Sequence, residues 1–314
     1  MSVGVVGMAS WQMSTWMLVF RLLGVRRWHE SAANFDALVQ RLERRPQRPD
    51  PPRRLSRTLD MRVDRSSGWP VYWARPPGTS PATHLVYLHG GSYVVQMGRV
   101  DWVLLDKCAH AVPATCVAPI YPLAPRHTAE TTVAQAADVL AGIMDEAGDG
   151  NTVLVGTSAG GGIALAAVQL LRDRGRAPAR LILLSPGVLD GTLSDPRQDA
   201  LEPRDRMLAR GGLAEAVRLY AGSLDVRDPR VSPLFGDMHG LPPMTVLVSN
   251  SELLYPDSLR LAEKARKAGV PVDLHVGDDL PHAYAVFVDT PEGKNALATI
   301  ISAARDPTRT APTT

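Results

Sequence analysis

The segment Gly-Thr-Ser-Ala-Gly at 156–160 places Ser158 between two glycines. The apolar run at 152–155 predicts a strand before it, and the small residues at 161–171 predict a helix after it. A strand-to-helix turn that exposes a serine hydroxyl needs glycines on both sides, because other side chains would collide there. We therefore expect Ser158 to be a nucleophile. The alternative is a glycine-rich helix start or an anion-binding loop. It is less favoured because the lysine of a phosphate-binding loop does not follow in the sequence.

A serine hydroxyl is a weak nucleophile at neutral pH, so a histidine must take its proton and a carboxylate must orient that histidine. His282 follows the last predicted strand, 272–276, where a loop side chain can reach over the sheet edge. We assign it as the base. His275 lies inside that strand, where packing or a local hydrogen bond is the simpler interpretation.

Two carboxylates compete for the acid position in the loop after the predicted strand at 245–248. Asp257 directly precedes a helical pattern at 258–268 and would serve as its N-cap. Glu252 has no such structural role, so we favour it over Asp257, with an ordinary solvated charge as the alternative. Asp278 and Asp279 are too near His282 in sequence to be expected beneath it.

Acyl transfer also needs amide donors for the oxygen that becomes negative, each worth about 3 kcal/mol. The sequence His-Gly-Gly-Ser-Tyr at 89–93 follows a predicted strand at 84–88 and supplies a flexible backbone there. We expect the amides of Gly90, Gly91 and Ala159 to form an oxyanion hole. The alternative is a plain turn with two glycines and a packed His89.

Apolar strands alternate with amphipathic helices along most of the chain. Beyond the predicted hairpin strands 58–63 and 71–74, strands are expected at 84–88, 116–120, 152–155, 180–184, 244–248 and 272–276. Their continuous apolar character is typical of strands buried on both faces. The fold class is α/β, with a mainly parallel sheet and helices on both sides.

Four segments follow from this pattern. We expect N-terminal cap helices at 1–48, a first core part at 49–186, an inserted helical cap at 187–223 and a second core part at 224–314. The prolines of 46–54 mark the first boundary. Tyr93, Leu208 and Val217 are the predicted substrate contacts, and Trp11 and Trp16 are further cap residues whose placement the sequence does not define.

The uncharged stretch at 3–20 allows two interpretations. It lacks the preceding positive charge and the cleavage site of a secretory signal. Glycine, serine, glutamine and threonine dilute its apolar character, so we favour a helix packed on the protein over a membrane anchor. A weak contact with a lipid surface through 3–20 is the alternative.

Composition excludes other classes of partner. With 34 Lys and Arg against 32 Asp and Glu, the net charge of +2 is too small for nucleic-acid binding without sequence preference. No cluster of metal ligands with known spacing is present, so no metal is expected. Two cysteines in so large a chain favour a reducing compartment, hence the cytoplasm. The sequence is equally compatible with a monomer and a homodimer.

Several motifs in order over 83–290 resemble those of the hormone-sensitive-lipase-like bacterial esterases. They are the glycine motifs at 89–93 and 156–161, Tyr-Pro-Leu-Ala-Pro at 121–125, Asp-Pro-Arg-Val-Ser-Pro-Leu at 228–234, Leu-Pro-Pro at 241–243, and His282. The order Ser158, Glu252, His282 is that of α/β-hydrolases. The sequence departs from the family pattern at three positions: Ser92 replaces a common third glycine, Arg126 replaces an acidic residue, and Glu252 replaces the commoner Asp.

The resemblance implies an α/β-hydrolase with an eight-stranded sheet and a helical cap. It also implies a serine esterase for short to medium acyl esters, without metal or organic cofactor. The form of the motif at 121–125 is similar to that of the acetyl-ester and steryl-acetyl hydrolase branch. Two alternatives stay open: a membrane-associated lipid or steryl-ester deacetylase, and a hydrolase-fold receptor that holds a ligand without cleaving it.

Overall fold

A computed structural model describes residues 9–45, 47–112, 114–187 and 189–307. These residues contain one eight-stranded sheet. Its strands are β1 (Asp60–Asp64), β2 (Val71–Arg75), β3 (Thr83–Leu88), β4 (Ala114–Pro119), β5 (Thr152–Thr157), β6 (Arg180–Leu184), β7 (Met244–Ser249) and β8 (Val272–Gly277).

The strand order in the sheet is β1-β2-β4-β3-β5-β6-β7-β8. β1 and β2 form an antiparallel hairpin that joins β4, and strands β3 to β8 are parallel to one another. The predicted hairpin and the predicted parallel sheet are confirmed. Because β3, β5, β7 and β8 all end at the same edge, the loops that follow them are brought together there.

The described helices are α1 (Trp11–Leu22), α2 (Ala32–Arg44), α3 (Arg99–Ala111), α4 (Ala129–Ala147), α5 (Ala159–Asp173), α6 (Arg197–Leu201), α7 (Arg210–Ala221), α8 (Tyr255–Lys267) and α9 (Pro291–Arg305). They cover both faces of the sheet. Alternate residues of one strand enter different cores: Val86 and Leu88 pack with α4 and α5, while Leu85 and Tyr87 pack with α3 and α9. Continuous apolar strands are required for this two-sided burial.

α8 begins three residues earlier than the sequence predicts. Its first turn contains Tyr255, Pro256 and Asp257, because proline is well tolerated at the start of a helix. The interpretation of Asp257 as the N-cap is therefore wrong. Leu254 occupies that position.

The two expected cap segments meet above the carboxyl edge of the sheet. α2 packs on α7, and the amide of Gly212 in α7 donates to the carbonyl of His29 at 2.6 Å. A Cβ at Gly212 would lie 2.3 Å from the Cα of His29, so only glycine permits this approach. Leu208, which was expected within a helix, lies two residues before α7 in irregular backbone.

α1 is firmly attached to the core at its N-terminal end. Ser10 caps the helix, and both its amide and its hydroxyl donate to the carboxylate of Glu292, at 2.6 and 2.8 Å. Met13 is fully buried. Positions 3–8 of the predicted apolar stretch lie outside the described residues. None of the described helices has both the length and the apolar character needed to cross a bilayer.

Candidate active site

Ser158 lies at a sharp turn between β5 and α5. Its backbone has a φ of 48°, a left-handed conformation that is costly for a residue with a side chain. The neighbouring glycines make the turn possible: a Cβ at Gly156 would lie 2.6 Å from the Gly160 carbonyl oxygen, and one at Gly160 would lie 2.1 Å from the Leu88 oxygen. The turn directs the Ser158 hydroxyl to the edge where the other loops end.

His282 reaches Ser158 from the loop after β8. Its Nε2 is 2.8 Å from the Oγ of Ser158, and its Nδ1 is 2.6 Å from the Oε2 of Glu252. The next residue, Ala283, has a φ of 57° and donates its amide to the Oγ of Ser185 at 3.1 Å. The backbone turn after the histidine is thus held by the residue that follows β6.

Glu252 lies in the loop after β7 and is almost completely buried. Its second oxygen, Oε1, accepts the amide of Ser249 at 3.0 Å, so each carboxylate oxygen has one partner. The loop that carries Glu252 is joined to the loop that carries His282. Leu280 donates its amide to Ser249 Oγ at 3.0 Å, and its carbonyl accepts from Ser251 Oγ at 2.8 Å. These bonds fix the loops of Glu252 and His282 relative to each other.

The competing residues lie elsewhere. The carboxylate of Asp257 accepts from Nη1 of Arg260 at 3.0 Å. Burial, reinforced by nearby Asp190, raises the pKa of Asp257 to about 7. His275 is exposed on β8. Asp278 and Asp279 brace the two loops by hydrogen bonds to the side chain of Asn250.

Two opposing effects act on the imidazole of His282. Burial disfavours its charged form and lowers its pKa, whereas the carboxylates of Glu252 and, more weakly, Asp205 raise it. The net pKa lies above the ordinary value of histidine. An imidazolium formed at this position is therefore stabilised, as a base that receives a serine proton requires.

The glycine loop after β3 lies against the serine. A Cβ at Gly90 would lie 3.2 Å from the Cβ of Ser158. Gly91 has a φ of 122°, and a Cβ there would lie 2.2 Å from the Val95 oxygen. Among the described residues the amides of Gly90, Gly91 and Ala159 have no hydrogen-bond partner. Three amides in the two glycine turns are therefore free to donate a hydrogen bond.

A cavity of about 310 Å³ opens beside Ser158 and His282. Its wall is largely apolar and comes from both caps and the core; the contributing side chains are Trp16, Phe20, Val25, Trp28, Phe35, Leu38, Val95, Val100, Met207, Leu208, Val286 and Phe287. Of the predicted substrate contacts, Leu208 lines the cavity. Tyr93 and Val217 do not: Tyr93 is buried against Tyr220 at a ring distance of 3.8 Å, and Val217 is buried in the core.

His29 is a cavity residue that the sequence did not reveal. Its Nε2 is 3.0 Å from the hydroxyl of Ser92, which follows Gly91 and has a φ of 50°. Burial lowers the pKa of His29 to about 4, with a further contribution from nearby His282, so the ring is neutral at physiological pH. The signal in the sequence was Ser92: a serine hydroxyl in place of the usual glycine indicates that another residue forms a hydrogen bond with it.

Asp205 is a second residue that the sequence analysis missed. Its carboxylate accepts three amides: those of Met207 and Leu208 in the cavity wall, at 2.8 and 2.9 Å, and that of Leu253 beside the acid, at 2.7 Å. Burial raises its pKa. Arg26 of the N-terminal cap donates to the carbonyls of Asp205 and Leu208. Both caps are thereby joined to the Glu252 loop.

Comparison with known proteins gives concordant results. The family model described as alpha/beta hydrolase fold matches residues 85–286. An acetyl-hydrolase of Streptomyces hygroscopicus is 31% identical over 72% of this chain and 76% of its own. The crystal structure of an esterase from the bacterial hormone-sensitive lipase (HSL) family superimposes with a TM-score of 0.78 at 28% identity, covering 96% of this chain and 100% of the other. That of EstE5, soaked with p-nitrophenyl butyrate, gives a TM-score of 0.80 at 27% identity, covering 95% and 99%.

Replacement of Glu252 by glutamine keeps the shape of the side chain but removes the charge beside His282 Nδ1. We expect kcat for a p-nitrophenyl ester to fall by roughly 10³ to 10⁴, since the wrong tautomer of the base is then favoured. The matched variant Asp257→Asn should change kcat less than about threefold, because Asp257 contacts Arg260 rather than His282. Steady-state kinetics of both variants decide the point, and the opposite ranking would assign the acid to Asp257.

The contact between His29 and Ser92 should hold the glycine loop in place. We expect His29→Ala to lower kcat by roughly five- to tenfold with little change in KM, because a hydrogen bond of about 1 kcal/mol that positions the loop is lost. Ser92→Gly restores a residue suited to a φ of 50°, and in that background His29→Ala should have almost no effect. Equal effects in both backgrounds in the double-mutant cycle would rule out the coupling.

Proposed function

Because this chain belongs to the α/β-hydrolase fold family, and within it to the bacterial hormone-sensitive-lipase-like group of carboxylic ester hydrolases, we propose that it cleaves esters through a triad of Ser158, His282 and Glu252. The proposed reaction uses only side chains, backbone amides and water. The observation that carries it is the position of one imidazole at hydrogen-bond distance from both a serine hydroxyl and a buried carboxylate.

In the first half of the reaction the Oγ of Ser158 attacks the ester carbonyl carbon while Nε2 of His282 takes its proton. The carbonyl oxygen becomes negative and accepts hydrogen bonds from the amides of Gly90, Gly91 and Ala159. Glu252 stabilises the imidazolium. His282 then returns the proton to the leaving alkoxide, the C–O bond breaks, and an alcohol leaves an acyl group on Ser158.

In the second half a water molecule replaces the alcohol. His282 takes its proton as the water oxygen attacks the acyl carbon, and the same three amides bind the new oxyanion. Collapse breaks the bond to Ser158 Oγ, which recovers the proton from His282. The carboxylic acid is released, and the enzyme returns to its starting state.

The cavity supports esters with short to medium acyl chains. Its volume of about 310 Å³ lies at the small end of the range for ligand pockets, roughly 300 to 1,000 Å³. The apolar wall from both caps suits an acyl chain more than a charged group. A relative named acetyl-hydrolase and a structural neighbour soaked with a butyrate ester support the same size class.

We assign residues 1–48 and 187–223 as the cap, supported by the cavity residues that both segments provide. We also propose a cytoplasmic location. The two cysteines, Cys108 and Cys116, are both buried and unpaired, which suits a reducing compartment.

Acyl-chain preference tests the proposed substrate class. With p-nitrophenyl esters from acetyl to palmitoyl, we expect kcat/KM to be highest between acetyl and about hexanoyl, because longer chains exceed the cavity. Ser158→Ala should lower the rate by at least about 10³ at every chain length while the circular dichroism spectrum stays unchanged. A maximum at palmitoyl would contradict the short-chain assignment, and an active Ser158→Ala variant would contradict the mechanism.

The pH dependence follows from the raised pKa of His282. Only the neutral imidazole accepts a proton, so kcat/KM should fall as the pH decreases through this pKa, with a midpoint above 6.5. Glu252→Gln removes the charge that raises the pKa and should shift the midpoint to lower pH. His29 is neutral throughout the range from pH 5 to 9, so His29→Ala should leave the midpoint unchanged. A wild-type midpoint below 6.5 would contradict this account of the base.

A further inference from the structure

The outer side of α1, together with Leu23 directly after it, exposes an apolar surface. Seven large apolar side chains are exposed among the described residues, and four of them fall within 13 consecutive positions: Trp11, Leu18, Leu22 and Leu23, which are 54 to 77% exposed. Scattered single residues of this kind are normal on protein surfaces, whereas such clustering marks a contact site. We call these four residues the α1 face.

The α1 face belongs to a helix whose opposite side packs on the protein. Trp11, Leu18 and Leu22 recur at helical spacing, while Trp16 and Phe20 on the other side pack on Phe287 with ring distances of 5.1 and 5.3 Å. Ser10 and Met13 anchor the start of the helix. These contacts set the orientation of the helix, so its outer apolar side chains face away from the described core.

The charges around the α1 face indicate the partner. Arg21, Arg27 and Arg41 are exposed, and none of them forms an ion pair within the described residues. The residues that line a groove of about 350 Å³ beside the face include Leu22, Leu23, Trp28, Leu38, Arg27 and Arg41. Guanidinium groups bind phosphate oxygens well, and apolar residues with a basic rim are typical of helices that lie on anionic membranes.

We propose that the α1 face docks on an anionic phospholipid surface. The four apolar side chains enter the headgroup region and the three arginines pair with lipid phosphates. Trp16 and Phe20, on the opposite side of the same helix, line the cavity beside Ser158. Docking therefore holds the cavity about one helix diameter, roughly 10 Å, from the lipid, where esters dissolved in the bilayer are concentrated. This last step rests on the proposed function, whereas the docking itself does not.

Vesicle co-sedimentation of the purified full-length chain tests the docking. Wild type should bind phosphatidylcholine vesicles containing about one-third phosphatidylglycerol, and it should bind pure phosphatidylcholine far more weakly. Binding should decrease at high salt. The variant L18S/L22S should lose at least about tenfold in partition to either vesicle. Arg21→Ser and Arg27→Ser should each lose roughly fivefold, on the anionic vesicles only.

Matched controls come from surfaces away from α1. Val63→Ser on β1 removes an apolar side chain with 44% exposure, and Arg75→Ser removes an exposed arginine at the amino end of the sheet. Both should bind as wild type does. Hydrolysis of p-nitrophenyl butyrate should be unchanged in all these variants, because none of the substituted residues lines the cavity. If L18S/L22S loses this activity through misfolding, Leu22→Ser alone serves instead.

Three results would overturn the proposal. They are absence of wild-type binding to anionic vesicles, equal binding by L18S/L22S and wild type, and a wild-type dimer that L18S/L22S converts to a monomer while neither binds vesicles. The last would assign the face to a second copy of this chain. An inactive protein that still binds vesicles would refute the esterase mechanism and leave the docking intact.

Discussion

The imidazole of His282 is held between the hydroxyl of Ser158 and the carboxylate of Glu252, and most of the surrounding structure restrains one of these three groups. A shift of about 1 Å in such a site costs a large part of its rate. The serine is fixed by a backbone turn that tolerates only glycine on both sides. Glu252 and His282 come from neighbouring loops that share hydrogen bonds through Leu280.

The caps contribute to the same restraint as well as to the cavity. Asp205 joins the cavity wall to the backbone beside Glu252, and Arg26 joins the N-terminal cap to the same segment. His29 contacts the glycine loop through Ser92, while Gly212 holds the backbone of His29. A change in either cap can therefore be transmitted to the amides, the acid or the base. Since α1 also carries the exposed apolar surface, contact with a partner at that surface acts on an element that forms the cavity wall.

The core of the fold was predictable, because strands buried on both faces leave a continuous apolar pattern and alternate with helices. The strands and the hairpin are confirmed within a few residues, and the structure brings Ser158, Glu252 and His282 together. The predicted start of α8 was wrong. The prediction relied on the N-cap preference of aspartate, whereas Pro256 is the residue that favours the first turn of the helix. His29 and Asp205 were missed, because contacts between caps depend on how irregular segments cross, which local patterns do not encode. Tyr93 and Val217 lie outside the cavity because both are buried in the main core. The roles of the site residues remain predictions.

Labelling with a fluorophosphonate, read by intact-protein mass and by peptide mapping, tests the central claim most directly. Such a probe forms a covalent bond with a serine only when that hydroxyl is activated. The account predicts one phosphonyl group per chain, located on Ser158, with labelling slowed at least about a hundredfold in Glu252→Gln. Absence of labelling in folded wild type, or a label on another residue, would contradict it.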